Sequence, residues 1–386
     1  MNQPGATPKR AGIGRVALAL ITVVVAVAAA GLFAINPQRP VAPNHPRGPD
    51  GVVAIQRPPS DRPLLWFREN NSSSPFILRA IDWNGRTVGR LSVSCADCGV
   101  LASPDGQRLL IGDQSLPGPV RNLDHVYDSS GDLLGAVDGF QAQWANDSRH
   151  LCMLRPSPLG AAGSGAIGAT VLEIDAQSGS RRVLAAVTTL PNRHLSGAWM
   201  LISCSPGTDR AVVVFADRGV GALRVIKLSN GTTVTARDDA TGPEGCGCPI
   251  ESLAISGDGR VAVENLVGPE GPRGGPAGPR VLNLVTGQES EPGAAWAGHV
   301  PIAGLSWSGR IAVTPVGAFT FPDSRQLWNA PLPAYVLPTA ADPRSDDVLL
   351  TFWVSSAQTG QPVIVRSGGS AVKLSPSFLS QPPLPY

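Results

Sequence analysis

The sequence predicts an all-β fold, a β-propeller of four-stranded antiparallel blades, carried behind a single N-terminal transmembrane helix. Three observations lead there. One apolar run near the N-terminus is long enough to cross a bilayer. Beyond residue 63, helical periodicity gives way to short runs of Val, Leu, Ile and Trp between clusters of Gly, Asp, Asn and Ser. Finally, two kinds of turn alternate along the remaining chain at the 40–50-residue period of propeller blades.

The apolar run covers residues 16–35. At about 1.5 Å per residue it reaches about 30 Å, the thickness of a hydrocarbon core. Lys9, Arg10 and Arg15 precede it and no acidic residue does, so the positive-inside rule leaves residues 1–15 cytoplasmic and exports the rest. A cleaved secretory signal, cut near Ala28-Ala29-Ala30, is the rival reading, and the domain is extracytoplasmic under both. Residues 36–63 carry eight prolines, which fix φ and disfavour helix, so this stretch is expected to be an extended linker. A short strand at Val52–Ile55 interrupts it.

The propeller is placed at residues 64–380. Its first turn type is Ser103-Pro104-Asp105-Gly106, echoed at Asn146-Asp147-Ser148, Ser205-Pro206-Gly207, Ser256-Gly257-Asp258-Gly259, Ser308-Gly309 and Pro343-Arg344-Ser345-Asp346. The second is Trp83-Asn84-Gly85, echoed at Ser130-Gly131, Ser178-Gly179, Asn230-Gly231, Thr286-Gly287 and Ser367-Gly368-Gly369. Both kinds favour residues that accept positive φ or bond their own backbone. The units number seven, or six if the weak one around Trp328 is discounted. The first unit lacks its innermost strand, for which Gly51–Ile55 and the tail Val372–Leu379 both stand as sources.

The segment Ala102-Ser103-Pro104-Asp105-Gly106-Gln107-Arg108-Leu109-Leu110-Ile111, followed by a strand ending in an Asp-x-x-x-Gly turn, resembles the repeats of TolB-like and WD-like propellers. The resemblance runs from about Leu64 to Leu374. It implies a fold and leaves activity open, because such propellers serve both binding and catalysis.

Charge and motif content exclude several functions. The formal net charge is +2 with no basic stripe, so nucleic acid is not an expected partner. Gly163-Ser164-Gly165-Ala166-Ile167-Gly168 has the dinucleotide spacing but lies between antiparallel strands, not in the βαβ setting that motif requires. Gly268-Pro269-Glu270-Gly271-Pro272-Arg273-Gly274 is too short a repeat for a collagen helix. No nucleophile elbow or close histidine pair occurs, and neither a metal nor a cofactor is expected.

All six cysteines, Cys95, Cys98, Cys152, Cys204, Cys246 and Cys248, follow the apolar run, so disulfides are expected. Local Cys95–Cys98 and Cys246–Cys248 bridges are the favoured pairs, with Cys152–Cys204 between neighbouring units. Trp66, Trp144, Trp199, Trp307 and Trp353 fall on predicted strands and read as packing between blades. Trp83 and Trp296 fall in loops, where they read as exposed anchors. Five inter-blade loop residues, Asn192, Arg193, His194, Trp296 and His299, form the candidate binding set, suited to a polar or acidic ligand. The expected function is a membrane-anchored, non-catalytic binding or scaffold module for a protein or glycan. The alternatives are a propeller hydrolase, lyase or lactonase with its site at the channel mouth, and an envelope sensor that signals through a partner.

Overall fold

The computed structural model describes residues 51–69, 75–95, 98–112, 124–137, 142–157, 168–188, 198–216, 220–238, 250–266, 279–292, 296, 301–330, 335–355 and 358–375. Residues 16–35 lie outside these, and no helix among the described residues is long and apolar enough to cross a membrane.

The described strands form seven antiparallel blades. Blade 1 holds β1 (Val52–Gln56), β2 (Leu64–Glu69), β3 (Phe76–Asp82) and β4 (Thr87–Val93), and blade 2 holds β5 (Gly99–Ala102), β6 (Arg108–Gly112), β7 (Asp124–Asp128) and β8 (Leu133–Val137). Blade 3 comprises β9 (Gln143–Trp144), β10 (His150–Ser157), β11 (Gly168–Asp175) and β12 (Arg181–Thr188). Next come β13 (Ala198–Ser205), β14 (Arg210–Ala216), β15 (Val220–Lys227) and β16 (Thr233–Asp238) in blade 4. Blade 5 is built from β17 (Ile250–Ile255), β18 (Val261–Leu266), β19 (Arg280–Asn283) and β20 (Glu289–Ser290). Blade 6 contains β21 (Gly304–Leu305), β22 (Ile311–Thr314), β23 (Gly317–Thr320) and β24 (Gln326–Asn329). Blade 7 ends the ring with β25 (Tyr335–Ala341), β26 (Val348–Ser355), β27 (Gln358–Thr359), β28 (Val363–Val365) and β29 (Ala371–Lys373). The unit around Trp328 is thus a full blade, and the count is seven.

In blades 2 to 7 the opening strand lies nearest the axis. Successive opening strands are neighbours, β5 beside β9, β9 beside β13, β17 beside β21 and β21 beside β25. Blade 1 differs. Its strand order is β1-β4-β3-β2, so β1 is added outside β4 and does not fill the innermost place. That corrects one of the two sources expected for the missing strand; the tail beyond residue 375 lies outside the described residues. The last part of the Pro-rich linker therefore belongs to the propeller. Pro58 packs over Gly89, while Gln107 Nε2 donates to Arg62 O (2.5 Å) and Arg344 Nη1 to Asp61 O (2.9 Å), pinning this strap to blades 2 and 7.

The core is a series of apolar interfaces between blades, as alternating side chains of each strand point to opposite neighbours. Leu65, Phe67, Ile81 and Trp83 of blade 1 meet Ala340, Leu349, Ile364 and Leu374 of blade 7, which closes the ring. Blades 3 and 4 share a cluster that includes Trp199, Phe215, Val171 and the cystine Cys152–Cys204, with a Cα separation of 6.3 Å.

Antiparallel order puts the turns between first and second strands, and between third and fourth, on one end of every blade. We call this end the turn face. The connections between second and third strands, and between blades, lie on the opposite loop face. On the turn face the recurrent residues have two jobs. Locally, Asp128 Oδ1 accepts from the N–H groups of Ser130 and Asp132 (2.9 Å each), and Asn283 Oδ1 does the same for Val285 and Thr286 (3.0 Å each). Globally, the turns bond to one another around the ring. Leu64 N donates to Asp105 O (2.9 Å), Asp105 N to Ser148 Oγ (3.0 Å) and Asn146 N to Cys204 O (3.0 Å). Ser205 Oγ donates to Asp258 O (3.0 Å), Asp258 N to Trp307 O (2.8 Å) and Ser308 N to Asp346 Oδ1 (2.6 Å). Arg344 returns the circuit to Asp61 of blade 1.

The turn glycines follow the same logic. Gly106 has φ +67, and a methyl group there would overlap Leu64 O of blade 1. Gly131 (φ +88) sits against Val52 and Leu91 of blade 1. Each glycine meets a backbone requirement and a neighbouring blade at once.

Gly106→Ala is therefore expected to cost well over about 1 kcal/mol, since strained φ and overlap add. Gly207→Ala, in a turn where an added Cβ meets nothing within 4 Å, is the matched control and should be nearly neutral. Equilibrium denaturation of both variants checks the difference.

Candidate functional site

The turn face has little left to offer a ligand among its described residues. Asp105, Asp258 and Asp346 are occupied in turns, as their positions in the sequence lead one to expect. Asp105 and Asp258 accept from Ser103 and Ser256 Oγ (2.6 Å each), and Asp346 holds Ser308 of blade 6. His150 lies between Asp147 (Nδ1 to Oδ2, 2.6 Å) and Asp175 (Nε2 to Oδ2, 3.8 Å). Burial acts to raise the Asp147 carboxyl, but donation from the His150 backbone and ring and the Arg149 backbone outweighs it and leaves it below the usual range. Asp175 is lowered to about 2, chiefly by the Ser178 N–H, against a smaller opposing effect of burial and with help from the Ser178 hydroxyl, Gln177 N–H and Arg149. These are the signatures of turn-holding acids.

The loop face is the candidate site. Apart from the strap 57–63 on the turn face, the connections of the described strands that exceed a tight turn open here. Its described floor is firm. Cys95 and Cys98 are bonded, with Cα atoms 5.7 Å apart, at the crossing from blade 1 to blade 2. Cys95 is buried with Val93, Val100 and Ile111. At the crossing from blade 5 to blade 6, the Asn265 amide grips the backbone of Ile302 in both directions, donating to its O (2.8 Å) and accepting from its N (2.9 Å). The chain also enters the domain on this side, where Ser94 N donates to Gly51 O (3.3 Å).

Of the binding set expected from sequence, Asn192, Arg193, His194 and His299 lie outside the described residues. Trp296 does not stand out as an anchor. It is 1% exposed, wedged between blades 5 and 6, edge-on to Phe319 (6.1 Å), against Phe321 (5.6 Å), and its Nε1 donates to Pro322 O (2.7 Å). The outer strand β20 is only two residues long, so the following connection supplies the apolar filling that a full strand would have given. Trp83 is buried as well, at the seam between blades 1 and 7. Trp66 and Trp144 bear out the packing role, bonding through Nε1 to Gly106 O (2.7 Å) and Leu101 O (3.2 Å) of blade 2. Cys246 and Cys248 lie outside the described residues.

Among the described residues, no group of three His, Cys, Asp or Glu side chains is placed to hold a metal ion. What sequence reading missed is that a loop tryptophan beside a very short strand serves as a plug. The signal was the near-absence of apolar residues between Gly287 and Trp296.

No protein-family model and no curated protein matches the chain. Among solved structures it is similar to an oligogalacturonate lyase in complex with manganese, at 14% identity over 86% of this chain and 92% of that one, with a TM-score of 0.48. It is also similar to Sqt1 of Saccharomyces cerevisiae, at 11% identity over 84% and 98%, TM-score 0.40. The β-propeller domain of Cps50 (Swd1) from Myceliophteria thermophila aligns at 12% identity over 72% and 85%, TM-score 0.39. The likeness is one of chain path.

Two experiments follow from the local chemistry. A carboxylate held near 2 contributes stability above its unfolded value of about 3.9 and loses that contribution as pH falls toward 2. Asp175→Asn should keep the turn, as Asn283 does in blade 5, and flatten the stability loss between about pH 4 and pH 2. Acid titration of unfolding free energy measures it. The cystine Cys152–Cys204 closes a separation of 52 residues and Cys95–Cys98 one of 3. By chain entropy, the first is worth up to about 4 kcal/mol and the second less than half of that. Denaturation of the two paired Cys→Ala variants should rank them in that order.

Proposed function

We propose that this chain is a single-pass, extracytoplasmic propeller that acts as a non-catalytic binding module, offering its loop face to a protein or glycan. The observation that carries this reading is the unequal use of the two faces. Turn-face residues, those of the strap 57–63 included, are consumed by bonds between blades, whereas the other long connections open on the loop face, where recognition in a rigid scaffold is concentrated. Two cystines among the described residues support an oxidising compartment, and with it export. Residues 16–35, with Lys9, Arg10 and Arg15 before them, supply the anchor. The Ser-Pro-Asp-Gly turn and the Asp-x-x-x-Gly turn support a repeat of the TolB-like or WD-like kind.

Protease added outside intact cells should remove the propeller and leave the N-terminus in the membrane; a mature chain beginning near Gly31 would contradict the anchor. For ligand recognition, full-length protein in nanodiscs is screened against cell-envelope oligosaccharides, and a photo-cross-linker at position 194 is activated in cells. A bound saccharide or cross-linked protein is the expected outcome, with His194→Ala plus His299→Ala weakening it at unchanged thermal stability. Release of cleaved saccharide product would contradict the non-catalytic reading.

A further inference from the structure

Blade 1 alone has no described strand in its innermost place. In blades 2 to 7 the first and second strands are joined by a turn of the first kind, from Ser103-Pro104-Asp105-Gly106 to Pro343-Arg344-Ser345-Asp346. Blade 1 lacks that turn. Its Trp83-Asn84-Gly85 turn, between β3 and β4, is of the second kind, which joins third to fourth strands elsewhere. β2, β3 and β4 thus hold the second, third and fourth places, and β1 lies beyond them. Among the described strands β2 is paired along one edge only, to β3. Leu64 N donates to Asp105 O of blade 2 and not to β3, so by alternation the N–H groups of Trp66 and Arg68 point to the same inner edge. Trp66 is 2% exposed, so backbone groups there are out of reach of bulk water and require a partner.

The chain leaves blade 7 where every other blade supplies such a strand. From the fourth strand of each blade, the chain crosses on the loop face to the innermost place of the next. β29 is the fourth strand of blade 7, and the residue after it, Leu374, is buried at the seam with Leu65 and Phe67 of β2. The shortest crossings, 94–98, 138–142 and 330–334, use five residues each. Five residues beyond Lys373 bring the chain to Leu379, and 379–386 remain. The innermost strands β5, β9 and β21 are only four, two and two residues long.

We infer that residues 379–386 form the innermost strand of blade 1, antiparallel to β2, so that blades 7 and 1 are tied by continuous chain as every other neighbouring pair is. The inference stands apart from the tethered reading above. The segment Leu379-Ser380-Gln381-Pro382-Pro383-Leu384-Pro385-Tyr386 has one favourable phase for this place. An innermost strand bonds the second strand along one edge and turns the other to the channel, with alternate residues serving each. If Ser380 and Leu384 donate to β2, Pro383 and Pro385 fall on the channel edge, where a missing N–H costs nothing, and Pro382 alone interrupts the ladder. The opposite phase would put two prolines on the bonded edge. Blade 7 shows that an innermost strand takes proline, since Pro338 lies within β25, opposite Leu350 of β26.

Hydrogen exchange of the full chain, resolved to single amides, tests the assignment. Trp66, Arg68, Ser380 and Leu384 should exchange at least about a hundredfold more slowly than Leu379 and Gln381. Fast exchange at Ser380 and Leu384 would overturn it, whatever Trp66 and Arg68 do. A full-length variant with residues 376–386 changed to glycine and serine should lose protection at Trp66 and Arg68 while the amides of β14 keep theirs. A peptide of the 376–386 sequence, added in excess, should restore it. Retained protection in that variant would show that something else fills the place. Should the variant fail to fold, Ser380→Pro removes a single donor and should speed exchange at Leu384 by at least about tenfold; no change there would count against the pairing. Protection at Ser380 that falls on dilution, with sedimentation as a dimer, would give the strand to a second copy and overturn the inference.

Discussion

The structure depends on how each blade is joined to the next at one end. A propeller has no single core; it has one apolar interface per pair of neighbouring blades, and each interface is non-directional. Something must set the angle between blades so that the ring closes. Here the turn face does so, through directional bonds from Asp105, Asn146, Ser205, Asp258, Ser308 and Arg344 to the adjacent blade. Asn146 even reaches past blade 4, its Nδ2 donating to Asp258 O (3.0 Å), which marks how closely the turns converge. Buried hydrogen bonds of this kind contribute about 1 kcal/mol each, but leaving such groups unpaired would cost more, so the circuit specifies geometry as much as it adds stability.

That division of labour explains why the two faces differ. A face whose polar groups are committed to its own ring has little capacity for a partner. The opposite face is free to carry connections of any length, because the strands that support them are already fixed from below and clamped by Asn265 and by the cystine Cys95–Cys98. On the proposed reading, the requirements of closure leave recognition to the loop face.

Much of this was legible in the amino-acid order. The period and the two turn types gave the fold class, and the strands fall where Val, Leu and Ile cluster. The cystines Cys95–Cys98 and Cys152–Cys204 were expected from the even number of cysteines beyond the apolar run and from adjacency of units. What could not be read was the second role of the same residues. Ser148 looks like a turn former, yet its hydroxyl accepts from blade 2, and only the ring brings Asp105 to it across 43 positions. β1 was misjudged because pairing to the outer or the inner edge of a blade leaves the same local pattern of Val and Ile. Trp296 was misjudged because loop position normally implies exposure, and its burial arises from a deficiency elsewhere, the two-residue length of β20. Of the five residues that the sequence offered for a site, four lie outside the described residues and the fifth, Trp296, is buried.

The central claim is that the turn face is an inter-blade bonding circuit and not a row of independent surface turns. Native-state hydrogen exchange, resolved to single amides, tests it most directly. The N–H groups of Leu64, Asp105, Asn146, Asp258 and Ser308 each donate to a neighbouring blade. If the account holds, these five exchange only with global unfolding, at the same free energy as the central strand amides. If they exchange as fast as ordinary solvated turns while the strands remain protected, the blades are held by apolar packing alone and the account fails.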